Sequence, residues 1–404
     1  MFFHPYESIF MSLPLSQNRL HHIDLLRGLI IIFMVIDHGM YYCLNYSVTD
    51  PMTIPGTDAL TFFTRFISHF CAPLFVFLAG LSAAITEHKY TSTQAFSKSL
   101  IIRGLVLILF EFTIVSWSWS FNPLFPMLYA QVIWAIGWGF IILGLLRLIG
   151  LYAIFAMGLI LVFGHNLFDA VNFEPNTIAN TIWSVLHQKN VLELPFNFKI
   201  RTTYPVAPIV GLMALAYCAG VYYKAKQYSN RVMDYGLILG VSCLVLYTLL
   251  RGFNLYGDAS IFTISDSYLL TIMSFLNPTK YPLSLQFMLL TVGIGLIMLK
   301  LLSKLKSDFS PKFLQVLGKT SMFSYLAHLY LLHAISWLLI PVLGFSFSDI
   351  TYGETLVGLP IGYGMSYVAT LLFIAVVIGL TAVLANYYLA WKQKNKHSLI
   401  AKYI

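Results

Sequence analysis

The stretch that decides the fold is His22–His38, HIDLLRGLIIIFMVIDH. From Gly28 to Ile36 it is uninterruptedly apolar, and it continues through GMYYC to Cys43. Coiled as a helix, residues 24–43 span about 30 Å, the thickness of a bilayer's hydrocarbon core. Nine further segments have that length and character: 67–86, 101–120, 128–148, 150–168, 205–223, 233–253, 283–303, 320–340 and 360–389. The pattern predicts an all-α, polytopic membrane helical bundle of about ten transmembrane helices. Composition agrees. Fifty-eight per cent of the 404 residues are hydrophobic, 10% are charged and the mean hydropathy is +0.78. A soluble domain carries about 25% charged residues. A soluble enzyme, a disordered chain and a nucleic-acid binder are therefore excluded. The segment 267–277 is apolar but too short to span, and suits an interfacial or re-entrant piece.

Positive charge sets the expected orientation. With the N-terminus in the cytoplasm, 18 of the 24 Lys and Arg residues fall in cytoplasmic segments and six outside. That asymmetry places both termini in the cytoplasm, which an odd number of spans would spoil. Residues 1–18 read as a tail without clear fold, with Met11 as an alternative start. They lack the basic and apolar regions of a signal peptide. Residues 19–390 form the membrane domain, and the basic tail 391–404 is expected on anionic lipid headgroups. Cys43, Cys71, Cys218 and Cys243 lie in or beside apolar runs and read as small buried hydrophobes.

Ionisable side chains within spans are costly and mark function. Asp24 and Arg27 share a helix face and suit either a helix-entry salt bridge or, through Arg27, a cytoplasmic anion site. Arg103 opens the third span in the same way. His38 lies about 21 Å along the helix from Asp24. Its neighbour Asp37 points elsewhere, since residues i and i+1 do not face each other, so its partner must come from another helix. His69, read as lying in the first turn of the second span, sits at similar depth with Arg65 one turn before it. Two imidazoles and a guanidinium at one depth suit proton transfer. Glu111, in the middle of the third span, either orients a histidine or pairs structurally. His328 and His333 read as interhelical hydrogen-bonding residues. Lys280, Tyr281 and Tyr204 precede spans on the outer side. Gly211 and Gly220 suit close helix packing. No phosphate-binding loop, GxGxxG, HExxH or GxSxG carries a function here, and no metal is expected.

Six stretches, in order, carry a resemblance: HIDLLRGLIIIFMVIDH, RFISHFCAPLFVFLAGLSA, IIRGLVLILFEFT, YPVAPIVGLMALAYCAG, KYPLSL and LGKTSMFSYLAHLYLLH. Together, from about Arg19 to Pro341, they resemble the bacterial branch of the heparan-α-glucosaminide N-acetyltransferase catalytic-domain family. The opening also looks like that of the family-3 membrane acyltransferases, in which a first-helix histidine is thought catalytic. The resemblance implies an integral-membrane acyltransferase of the bacterial inner membrane. It implies transfer of an acetyl (acyl) group from cytoplasmic acetyl-CoA to a carbohydrate or glycoconjugate acceptor on the other face. His38 would then be general base or transient acyl carrier, oriented by His69 or Glu111. Arg65 would hold the oxyanion or the acceptor, and Arg27 and Arg103 the CoA phosphates. Lys280, Tyr281 and Tyr204 would contact the acceptor.

The sequence departs from that pattern in places. The family's lysosomal members are assigned a catalytic histidine between the first two helices, where residues 44–64 here contain none. Ile209 stands where relatives often have Trp, Ala216 where Gly is common, and Leu283 replaces the second Pro of KYPPSL. The rival reading is a proton-coupled transporter or flippase with an intramembrane His/Glu relay. Expected partners are membrane lipid, acyl-CoA, the acceptor and a second copy in a homo-oligomer, with no nucleic acid.

Overall fold

A computed structural model describes residues 21–44, 57–122, 127–193, 198–226, 231–305, 311–352 and 357–404. The tail at 1–18 and most of the loop at 44–64 lie outside them. Among the described residues, ten long helices form the body of this multi-pass membrane protein. The first, α1, is His21–Cys43. Nine more among the described residues are long and apolar enough to cross a membrane. They are α2 (Ala59–Lys89), α3 (Thr93–Ser120), α4 (Val132–Ile149), α5 (Leu151–Phe168), α6 (Val206–Ala225), α7 (Val232–Gly252), α8 (Leu285–Ser303), α9 (Ser321–Leu339) and α10 (Tyr367–Lys394).

Helix starts follow local capping chemistry. Ser92 accepts the Ala95 N–H at 3.1 Å and Ser284 the Phe287 N–H at 3.0 Å. Asp58 accepts the Thr61 N–H at 2.9 Å, so α2 begins eight residues before the expected 67. Arg65 and His69 thus lie inside α2, and His69 is not in its first turn. Pro73 has no N–H for the His69 carbonyl, and the turn before it, Ile67–Phe70, tightens to a 3₁₀ helix. In α3 the residues Glu111–Val115 widen into a π turn. Such turns are frequent at functional sites.

Helix α1 is the hub. It packs against α2, α8, α9, α10 and the short helix Lys312–Lys319. Around it, α2 and α8 are largely buried, at 72% and 67%, whereas α5 and α7 at 22% and 17% leave most of their apolar surface outward. Outward Leu and Ile side chains are what a lipid-facing helix requires. Helices α3 and α4 cross where a Cβ on Gly137 would lie 2.7 Å from the Gly104 carbonyl oxygen. Gly211 and Gly220 likewise pack against α5 and α2, as expected. Cys43 and Cys71 are free and buried.

One element stands outside the all-α expectation. Strands β1 (Met127–Ala130), β2 (Asn190–Glu193) and β3 (Lys199–Thr202) form a small sheet of order β1-β3-β2. β3 runs parallel to β1, with Tyr129 opposite Arg201, and antiparallel to β2. The short helix Tyr268–Phe275 accounts for the apolar piece at 267–277. It lies between spans and crosses nothing.

The tightest contact binds α1 to helix Lys312–Lys319. A Cβ on Gly28 would run into the Leu314 carbonyl, and one on Gly318 into the Asp24 carbonyl. We expect Gly318→Ala to push these backbones apart and destabilise the protein by about 1–3 kcal/mol. Thermal unfolding in detergent checks this, and an unchanged midpoint would refute it.

Candidate active site

Two clefts lie toward opposite ends of α1 and share part of their lining inside the bundle. The first, about 300 Å³, is lined by Arg27 of α1, Arg103 of α3, Lys319, and Lys392 and Lys402 near the C-terminus. No Asp or Glu is among its described lining residues. The second, about 190 Å³, is lined by Asp37, His38 and Tyr41 of α1, Arg65 and Ser68 of α2, Trp119 of α3, and Tyr204, Lys280 and Tyr281. The sheet lies across it and contributes Tyr129 and Arg201. Met34, Val132 and Tyr325 line both clefts. Arg27 and His38 are separated by about 16 Å of helix rise.

His38 finds its partner on α9. Its Nδ1 lies 2.8 Å from Nε2 of His328, with the rings stacked at 5.1 Å and 15°. Nδ1 of His328 lies 3.0 Å from the Ser324 carbonyl oxygen. A carbonyl only accepts, so His328 donates there and its Nε2 accepts from His38 Nδ1–H. That assignment leaves Nε2 of His38 with its lone pair. The edge of Trp119 meets the His38 ring at 4.9 Å and fixes it from the side. His38 is therefore preset to take a proton.

His69 was expected to orient His38. It is instead buried between the rings of Phe66 and Phe287, at 5.1 and 5.0 Å, and does not line the cleft. The 3₁₀ turn presents Ser68 there in its place. Glu111 does not orient His38 either. Its carboxylate accepts the Trp134 N–H at 2.7 Å, in the first turn of α4, where helix N–H groups lack partners of their own. Helix geometry correctly sends Asp37 away from His38, and it forms an ion pair with Arg65. Of the two α9 histidines, His333 has the expected structural place, 2.8 Å from the Ser118 carbonyl oxygen and stacked on Phe121 at 3.8 Å.

The remaining candidates line one or the other cleft. The Lys280 ammonium donates to Ser68 Oγ at 3.0 Å. Burial pulls its pKa down, but Tyr281 and Asp37 outweigh burial and leave it above the ordinary lysine value. Tyr204 and Tyr281 meet edge to face, with hydroxyls 3.4 Å apart. Lys189 adds a cation 5.2 Å from the Tyr281 ring centre. In the first cleft Arg27 contacts Asp24 at 3.4 Å and also Ser82, while Arg103 lies 4.8 Å from the Phe140 ring centre. Both readings of the Asp24–Arg27 pair are thus compatible with the structure, since Arg27 keeps its salt bridge and lines the cleft. Sequence reasoning missed His328 as the partner of His38, the sheet residues and the C-terminal lysines. Spacing along one helix says nothing about which helices become neighbours.

A family model, heparan-alpha-glucosaminide N-acetyltransferase, catalytic, matches residues 19–251. The match includes Arg27, His38, Arg65 and Arg103, whereas Lys280, Tyr281 and α9 lie beyond it. No curated protein matches the chain. With more than half of its 404 residues covered by that family model, the chain belongs to the heparan-alpha-glucosaminide N-acetyltransferase catalytic family.

Proposed function

We propose that this protein is an acetyl-CoA-dependent acetyltransferase of the bacterial inner membrane that passes the acetyl group to a carbohydrate acceptor on the far face. The observation that carries the reading is that the two clefts share Met34, Val132 and Tyr325 in their walls, with cations on one side and His38 on the other. The excess of Lys and Arg expected in cytoplasmic segments supports reading the first cleft as cytoplasmic. There Arg27 and Arg103 hold the phosphates of the donor as charge-assisted partners. The pantetheine arm and thioester carry no charge, and suit the apolar wall of Leu107, Ile133, Ile136 and Phe140 leading to the neck.

The acceptor enters the second cleft, where Tyr204, Tyr281 and Lys280 position it. Its amine or hydroxyl attacks the thioester carbonyl carbon at the neck. The new C–N or C–O bond forms as the C–S bond breaks. His38 Nε2 takes the acceptor's proton and returns it to the departing thiolate, so CoA leaves as a thiol. His328 holds the His38 tautomer and shares the positive charge that develops on it. Arg65 faces the negative charge on the carbonyl oxygen. A proton-relay transporter is less well supported, because Glu111 is engaged with the Trp134 N–H and neither ring nitrogen of His69 has a partner among the described residues.

We expect His38→Ala to lower acetyl transfer by ~10²-fold or more in folded, purified protein. His328→Ala should act through His38 and cost about tenfold, while the KM for acetyl-CoA stays constant. A His38→Ala variant within a few-fold of wild type would remove the base from the mechanism. In calorimetry, Arg27→Ala or Arg103→Ala should weaken acetyl-CoA binding by about tenfold. Equal affinity in both variants would contradict the placement of the donor.

A further inference from the structure

The C-terminal segment belongs to the first cleft. α10 ends at Lys394, and the short helix Leu399–Tyr403 follows. It is tied back by the Tyr388 hydroxyl, 3.5 Å from the Ile400 carbonyl oxygen, and by burial of Ala401. Tyr388 itself stacks flat on Phe323 of α9 at 4.2 Å, which anchors the end of α10. The return brings Lys402, Tyr403 and Ile404 into the cleft wall beside Lys392. The expected resting place for this basic tail was the lipid surface, yet two of its lysines line the cleft. Lys402 is exposed, and Lys392 and Tyr403 are half-buried.

Arg27, which pairs with Asp24, and Arg103, Lys319, Lys392 and Lys402 come from separate parts of the chain to line this cleft, and no Asp or Glu is among its described lining residues. Gathering like charges costs free energy unless an anion answers them. In a CoA thioester all the negative charge sits on the 3′-phosphoadenosine diphosphate end, which is also the end nearest the mouth when the thioester reaches the neck. We infer that the segment from Lys392 to Ile404 is a nucleotide-binding wall. Lys392 and Lys402 hold the donor's phosphates, and the Tyr403 ring offers a flat surface to its base. This inference rests on the acetyl-CoA reading above and extends the donor site to residues outside the stretch that matches the family.

The test compares CoA with pantetheine, which lacks the nucleotide, by calorimetry on the full chain in detergent. The variants are Lys402→Ala, Lys392→Ala with Lys402→Ala, and Lys402→Arg. The double variant should bind CoA at least tenfold more weakly than wild type and bind pantetheine within twofold of it. Its CoA affinity should also depend less on salt, and Lys402→Arg should keep most of the wild-type affinity. In turnover, the double variant should raise the KM for acetyl-CoA with little change in kcat. Equal CoA affinity in wild type and double variant would overturn the role of the tail and leave the acetyltransferase reading standing. Loss of CoA and pantetheine together would show a structural role and overturn it too. Folded wild type that binds no CoA would overturn both readings.

Discussion

Inside hydrocarbon, a polar side chain has to be answered by another part of the protein, because no water is there to answer it. In this chain the answers converge on α1. Asp24 and Arg27 answer each other near one end, Arg65 answers Asp37, and His328 answers His38 near the other end. The Arg65 and His328 contacts each tie a neighbouring helix to α1 and fix its rotation, and Arg27 reaches α2 through Ser82. The surrounding bundle can be understood as the shell that brings those partners within hydrogen-bonding reach. Close approach of helix Lys312–Lys319 to α1 serves the same end, since it sets Lys319 beside Arg27 in the first cleft.

Most of the fold was legible because the bilayer imposes a simple length rule. Seven of the ten expected spans agree with helices to within about four residues at each end, while α2 and α3 begin eight residues earlier and α10 begins seven residues later and ends five later than the expected 360–389. For α2 the Asp58 cap, hidden in a polar stretch, sets the start, and for α3 it is Ser92. The sheet escaped notice for a different reason. Strands of four residues are too short to show alternation, and the pairing of β1 with β3 joins segments some seventy residues apart.

The site was legible in its residues but not in its pairings. Helix geometry correctly sent Asp37 away from His38, and Arg65 took it. It could not say that His38 would meet His328 rather than His69, because that choice depends on how α1, α2 and α9 rotate against each other. The 3₁₀ turn before Pro73 adds a local cause, since it changes which residue of Ser68 and His69 lines the cleft. Glu111 looked like chemistry because it is a carboxylate amid apolar residues. Its contact is instead a buried first-turn N–H of α4, a need invisible until α4 is seen to start at Val132.

The neck of Met34, Val132 and Tyr325 carries an obligation unrelated to group transfer. On the proposed topology the clefts approach from both faces and are nearly a pore, and an energised membrane cannot tolerate a leak of protons or ions. A charge crossing it releases about 2.3 kcal/mol per 100 mV. Two of the three neck residues are apolar, and such a constriction sheds its water and becomes an electrical insulator. On the acetyltransferase reading, the same narrowness that lets a small neutral acyl group reach the far side keeps the membrane potential intact. Enlarging Met34 or Val132's space to admit bulkier donors would then be paid in leakage, and the insulation sets a ceiling on how roomy this enzyme's reaction centre can become.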